Sequence, residues 1–169
     1  VKNHEGFLEA AASIHADLPE VHYVMAGRNV DESNQDLLRM IEDYKLSKCV
    51  HLLGHRKDIE KLMTGIDVHV SASHTEAFPN VIGEAMASGT PSVATDVGDS
   101  AWIIGETGKV VLRGNMQALA EGVTDLSMMP LENRRALGLK ARARIKEEFE
   151  IGKVAALYQK YFFHLADSR

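Results

Sequence analysis

The chain has 169 residues, of which 45% are hydrophobic and 25% charged, with a formal net charge of −5. That size and balance suit one globular domain with its own core, and they exclude a disordered, collagen-like or coiled-coil chain. The acidic balance disfavours a nucleic-acid partner, the single cysteine (Cys49) allows no internal disulfide, and no apolar run approaches the ~18 residues of a membrane-spanning helix.

The chain opens without Met and without a charged-then-apolar signal pattern. Phe7, Leu8, Ala11, Ala12, Ile14 and Leu18 instead give helical spacing from the outset, so the sequence is expected to be a fragment of a longer protein. Short Val-rich runs then alternate with helical segments. Strands are predicted at 21–26, 49–53, 67–71, 91–95 and 109–112, the first two closed by Gly27 and Gly54. Helices are predicted near 34–45, 58–65, 80–88 and 115–128, with Asn34 and Asp58 as N-caps. The tail from Leu131 has no strand. Leu137, Ala141, Ile145 and Phe149 recur every four residues, a core-facing stripe, and Gly152 is expected to break the helix near 150–152. Val154, Leu157, Tyr158, Tyr161 and Phe162 follow, and the tail's basic residues, diluted by Glu147, Glu148 and Glu150, read as a solvated face.

Strands alternating with helices predict an α/β fold with a Rossmann-like parallel sheet and helices on both faces. Such strands should be apolar on both sides. His22, His51 and His69 interrupt that pattern, which points to a partly exposed face rather than a metal site. Cys49 and the seven methionines read as core filler, with Met86 against the sheet; Trp102, in a short helix after Asp99, reads as a packing residue, and His74 as a solvated loop residue.

Chemistry concentrates between Ser71 and Gly89, where a strand gives way to a helix beginning at Pro79 or Asn80. Ligands of open parallel sheets sit at the carboxyl ends of strands. A helix start there offers free N–H groups and a favourable dipole to a phosphate. Glu76 precedes this helix and Glu84 lies about one turn inside it. Each carboxylate can accept hydrogen bonds from two neighbouring sugar hydroxyls. A phosphate flanked by two such acids reads as a nucleotide-sugar site.

The segment Glu76-Ala77-Phe78-Pro79-Asn80-Val81-Ile82-Gly83-Glu84-Ala85-Met86 resembles the E-x7-E motif of the retaining glycosyltransferases of family 4, or group 1, which have the two-domain GT-B architecture. Flanking segments extend the likeness. They are 94–99 with 105–108 after the motif, 50–56 as the nucleotide-base loop, 67–71 as the next strand, Lys2 as the donor-phosphate lysine, and 149–162 as the helix that crosses back to the other domain. The resemblance implies that residues 1–169 are the second, donor-binding domain of such an enzyme, lacking its first strand and its N-terminal acceptor domain. It gives Glu76 to the donor sugar's hydroxyls and the backbone near Ala77, Phe78, Asn80 and Val81 to sugar and diphosphate. Glu84 would hold the ribose, Lys2 would neutralise the departing diphosphate, and His55 and Arg56 would bracket the base. The implied partners are a nucleoside diphosphate sugar as co-substrate and an acceptor glycan or lipid-linked sugar, with no metal or other cofactor and no nucleic acid. Ala77 and Pro79 stand where many members have Gly; the variant is common among enzymes that build bacterial surface polysaccharides. The full-length protein is expected to be cytoplasmic, peripheral at the inner membrane face. Trp102 falls in a region that lines the donor cleft in that family.

In the family's strand order, 3-2-1-4-5-6, the absent first strand is central. The strands at 21–26 and 49–54 are therefore expected to form one group and those at 67–72, 91–95 and 109–112 another, with a gap or weakened seam between. Closure of the gap, or its filling by a neighbouring chain, are the alternatives. The competing functions are a non-catalytic nucleotide-binding or interaction domain on the same fold, which has no need of two acids at a helix start, and another GT-B activity such as an epimerase or phosphorylase, which the Glu-Ala-Phe-Pro-Asn-Val segment fits poorly.

Overall fold

The computed structural model describes residues 2–167. In chain order the elements are α1 (His4–Asp17), β1 (Tyr23–Met25), α2 (Gln35–Asp43), β2 (Val50–Leu52), α3 (Ile59–Thr64), β3 (His69–Ser71), α4 (Asn80–Ala87), β4 (Ser92–Thr95), α5 (Ser100–Ile104), β5 (Lys109–Val111), α6 (Met116–Met128), α7 (Leu131–Glu148) and α8 (Ile151–Asp167). All five expected strands are present, each shorter than its apolar run. Asn34 caps α2 as expected, accepting the Leu37 N–H at 3.1 Å. Asp58 stands before α3 but caps nothing, because its carboxylate is taken by Arg56 in a two-pronged ion pair at 2.9 and 2.7 Å. The helix break lies at Phe149 and Glu150, and Gly152 is inside α8.

The strands form two parallel sheets, β1-β2 and β3-β4-β5. Tyr23 pairs with Val50, His69 with Ser92 and Val93 with Lys109. No described strand joins β1 to β3, so the seam expected from the sequence is present. Helices bridge it. α1 packs on α6, and one core cluster joins Leu8, Ala11 and Ile14 of α1 to Tyr23 and Met25 of β1, Val93 of β4, and Leu119 and Val123 of α6. The Tyr23 hydroxyl donates to the Ala11 carbonyl at 3.0 Å, tying the small sheet to α1. A second cluster packs Ile82 and Met86 of α4 against Ala94 of β4, Ile103 and Ile104 of α5, and Ala141 of α7. The stripe of α7 thus faces inward as its spacing predicts.

Burial corrects several side-chain expectations. Cys49, Met25, Met63, Met86 and Met116 are buried, but Met128 at the end of α6 is exposed and not core filler. His69 is buried, whereas His22 and His51 are exposed on the small sheet, Nδ1 to Nε2 at 2.8 Å with stacked rings. Among the described residues no helix is long and apolar enough to cross a membrane.

Candidate functional site

The site grows from the carboxyl end of β3. Chain direction there is fixed by β4, whose buried Thr95 hydroxyl donates to the Ser73 carbonyl at 2.6 Å. Ser73 is itself buried, and its hydroxyl donates to Glu76 Oε1 at 2.7 Å. The same oxygen accepts from Lys2 Nζ at 2.8 Å. Lys2 reaches it because Asn3, in left-handed conformation, caps α1 by accepting the Gly6 N–H at 3.1 Å and turns the preceding residue toward β3. Two residues 74 apart in sequence are thus paired. Glu76 is 17% exposed and Lys2 59%. Partial burial pushes the Glu76 carboxyl up, but the hydrogen bonds from Lys2 and Ser73 and the charge of Lys2 outweigh it, leaving Glu76 below its ordinary value and ionised at neutral pH.

The motif loop is clamped from outside. Gly98, at φ +53, lies against the carbonyls of Glu76 and Ala77, and the Asp99 N–H donates to the Ala77 carbonyl at 3.0 Å. Pro79 is fully buried at the N-cap of α4. The Asn80 N–H donates to the Phe78 carbonyl and the Ile82 N–H to the Pro79 carbonyl, both at 3.0 Å. Glu84 is exposed on α4, and no described residue pairs with its carboxylate.

Phe78 and Trp102 stand beside this loop, 42% and 56% exposed. Trp102 packs as expected, its ring T-shaped to that of Phe149 with centroids 4.8 Å apart, but just over half of it stays exposed. Phe78 lies 6.4 Å from Trp102 and 6.1 Å from Phe149. Arg144 fixes this cluster from α7, donating to the carbonyls of Ile103 at 3.0 Å and Trp102 at 2.6 Å, with its guanidinium carbon 5.9 Å from the Phe149 ring centre.

Other expected site residues stand apart. His55 and Arg56 follow β2 and are exposed, with the Arg56 guanidinium engaged by Asp58; no described contact joins them to Glu76. His69 lies on β3 with Nδ1 3.1 Å from Ser92 Oγ. Burial, aided by the charge of Lys2, pushes its pKa down to about 4, so the ring is neutral at pH 7. Among the described residues no group of three or more His, Cys, Asp or Glu side chains could hold a metal ion.

Ser73, Thr95, Gly98 and Arg144 hold the site together without having been singled out for it in the sequence. Ser73 left a local signal, its position three residues before Glu76, and Thr95 and Gly98 fall in the 94–99 flank of the motif without their supporting contacts being legible there. The other three act across contacts of 20 residues or more, which no spacing rule reveals.

Comparison with known proteins bears on the family and the fold. Residues 1–128 match the family described as glycosyl transferases group 1. Over 165 residues the chain is 31% identical to a putative glycosyltransferase, EpsD, of Bacillus subtilis, with 95% of this chain and 42% of that protein covered. The fold superimposes on sucrose-phosphate synthase from Thermosynechococcus elongatus with a TM-score of 0.85 at 24% identity, covering 99% of this chain and 43% of that one. It superimposes on Anabaena Alr3699/HepE, solved in complex with UDP, with a TM-score of 0.81 at 25% identity, covering 98% and 45%. The chain thus spans less than half the length of these proteins, and its two sheets with flanking helices have the Rossmann-like form of a GT-B C-terminal domain. Motif, fold and relatives converge, and the chain belongs to the group 1 glycosyltransferases.

Proposed function

We propose that this chain is the donor-binding part of a retaining glycosyltransferase, which moves a sugar from a nucleoside diphosphate sugar to an acceptor hydroxyl with its anomeric configuration kept. The observation that carries the reading is the Lys2–Glu76–Ser73 group at the carboxyl end of β3. It sets a half-exposed cation beside an ionised carboxylate at the start of α4. A diphosphate brings negative charge that the Lys2 ammonium and the α4 dipole would meet. Glu76 would then release Lys2 in part and accept hydrogen bonds from donor-sugar hydroxyls. Glu84, unpaired among the described residues, would take the ribose diol. Backbone around Ala77, Phe78, Asn80 and Val81 would line the sugar and diphosphate, with His55 and Arg56 at the base. The Asn80 N–H, now turned onto Phe78, would have to swing out to meet phosphate. On this reading the charge of the leaving diphosphate is met without a metal ion. The acceptor, a glycan or lipid-linked sugar, would be held outside this chain, and transfer needs both reactants held together.

Calorimetric titration of the chain with UDP, GDP and ADP tests this, with and without EDTA. UDP comes first because the Anabaena neighbour holds it. One nucleotide should bind, EDTA should leave it bound, and Glu84→Ala should weaken it at least tenfold. A folded chain that binds none of the three, or binds equally well as Glu84→Ala, overturns the reading.

A further inference from the structure

Glu76 Oε1 accepts two hydrogen bonds, one from a group that can leave and one from a group that cannot. Lys2 Nζ, at 2.8 Å, ends a side chain that is 59% exposed. The Ser73 hydroxyl, at 2.7 Å, belongs to a residue that is 1% exposed. We propose that Ser73 is a positioning residue for the transfer: when the diphosphate draws Lys2 away, Ser73 keeps the Glu76 carboxylate aimed at the donor sugar. The inference rests on the donor-site reading above, and it assigns the two neighbours of Glu76 to different parts of the donor.

The sheet, not the motif loop, sets the place of Ser73. β3 pairs with β4 through Ser71 and Ala94. The next residue of β4, Thr95, is buried and donates to the Ser73 carbonyl at 2.6 Å. Ala72, between Ser71 and Ser73, is buried as well. The Ser73 hydroxyl is therefore offered from a fixed support. Glu76 stands three residues further on, in the loop, with a long side chain whose rotamers must be held before two neighbouring sugar hydroxyls can meet it. A donor already fixed in the core does this without ordering anything when the ligand arrives. Charge divides the two neighbours in the same way. Diphosphate and carboxylate are both anions and compete for one ammonium. The neutral hydroxyl of Ser73 is buried, and a phosphate has no route to it. Both described contacts to the carboxylate fall on Oε1. A carboxylate has about four acceptor sites, so with Lys2 withdrawn Ser73 takes one and leaves the others for sugar hydroxyls. Lys2 thus answers to the diphosphate and Ser73 to the sugar.

Two ligands separate these roles by calorimetry. One is the nucleoside diphosphate that binds the chain. The other is the tightest-binding of its nucleotide sugars carrying glucose, galactose, mannose or N-acetylglucosamine. Ser73→Ala should weaken the nucleotide sugar about tenfold and the nucleoside diphosphate less than about twofold. Ser73→Cys fills the same space with a weak donor and should do the same, so it carries the test if Ser73→Ala does not stay folded. Lys2→Ala should weaken both ligands and leave their ratio unchanged. With Glu76→Ala as background there is no carboxylate to aim, and Ser73→Ala should no longer alter the ratio. The proposal is overturned if Ser73→Ala weakens both ligands alike or neither, or lowers the ratio as far without Glu76 as with it. It is overturned too if the unsubstituted chain binds the nucleoside diphosphate but none of the nucleotide sugars. Failure of the donor-site reading itself looks different: the unsubstituted, folded chain then binds neither ligand, and the role of Ser73 falls with it.

Discussion

Gly98 lies so close beneath Ala77 that a Cβ at Gly98 would collide with the Ala77 carbonyl oxygen and with that of Glu76. The loop after β4 is thereby fitted against the loop that carries the motif, and the Asp99 N–H completes the join at 3.0 Å. Gly98→Ala meets two costs. A non-glycine residue at φ +53 gives up about 1–2 kcal/mol, and the clash is with backbone, which cannot swing aside. The substitution is expected to lower stability by at least about 2 kcal/mol, a fall of roughly 4 °C or more in the melting temperature for a chain of this size. Nucleotide affinity should drop with it, because the displaced carbonyls are those of the motif loop. A thermal melt and a nucleotide titration of the variant check both.

Lys2 and Glu76 separate binding from stability. Their ion pair is partly exposed, so Lys2→Ala and Glu76→Gln should each change stability by no more than about 1 kcal/mol. Affinity for a nucleoside diphosphate should fall about tenfold in Lys2→Ala, and less for the nucleoside alone, which lacks the charge that Lys2 meets. The pH dependence has a definite sign. Glu76 titrates lower folded than unfolded, so its contribution is present above the ordinary carboxylate range and is lost as pH falls through the folded value. Denaturant melts from pH 7 to pH 3 should show a smaller acid-side loss in Glu76→Gln, the part of the loss that comes from His69 remaining.

Local periodicity made much of this legible in the sequence. The alternation of β runs with amphipathic segments fixes the order of β1 to β5, the cap at Asn34 depends on residues three apart, and the inward stripe of α7 on residues four apart. The strand ends were less legible, because β1-β2 and β3-β4-β5 are separate ladders and an apolar run continues past the last paired residue. Asp58 illustrates a second kind of miss. It has the residue type and place of a cap, but Arg56, two residues away, offers its carboxylate a better partner. Trp102 packs against Phe149 as expected, but how much of its ring α5 leaves outside is set by the fold and is not written in the residue type. Of the site, Glu76 and Lys2 could be named from the motif and its flanks. Their support by Thr95 and Ser73 arises where β4 meets the end of β3, a register that the sequence does not display.

His69 should make the fold sensitive to mild acid. Its ring is buried beside Ser92 and near Lys2, and its pKa is pushed down to about 4 from 6.5. Between those values the unfolded chain binds a proton that the folded chain refuses. Stability therefore falls as pH drops from about 6.5 to about 4, by up to about 1.4 kcal/mol for each pH unit. Replacing the imidazole by a side chain that does not titrate, in His69→Asn, should flatten stability across that window even if it lowers the whole curve. Urea melts at half-unit steps give the slope, and an unchanged slope in the variant would assign the acid sensitivity elsewhere.

Two helical glycines should respond in opposite directions. Gly83, inside α4, has open space: a Cβ there would come no nearer than 4.0 Å to Ile145 Cδ1, an ordinary contact. Gly83→Ala reduces the freedom of the unfolded chain and adds apolar contact, so it should stabilise the protein by roughly 0.5–1 kcal/mol. Gly138, in α7, is where that helix crosses the turn after α4: a Cβ there would collide with the carbonyl of Gly89. Gly138→Ala must lift α7 from α4 and open the cluster of Ile82, Met86 and Ala141, an effect of about 1–3 kcal/mol against folding. Both replacements carry the same intrinsic gain in helix propensity, so the difference between their melting temperatures isolates the packing of α7 on α4. Equal shifts would mean that this contact contributes nothing to the fold.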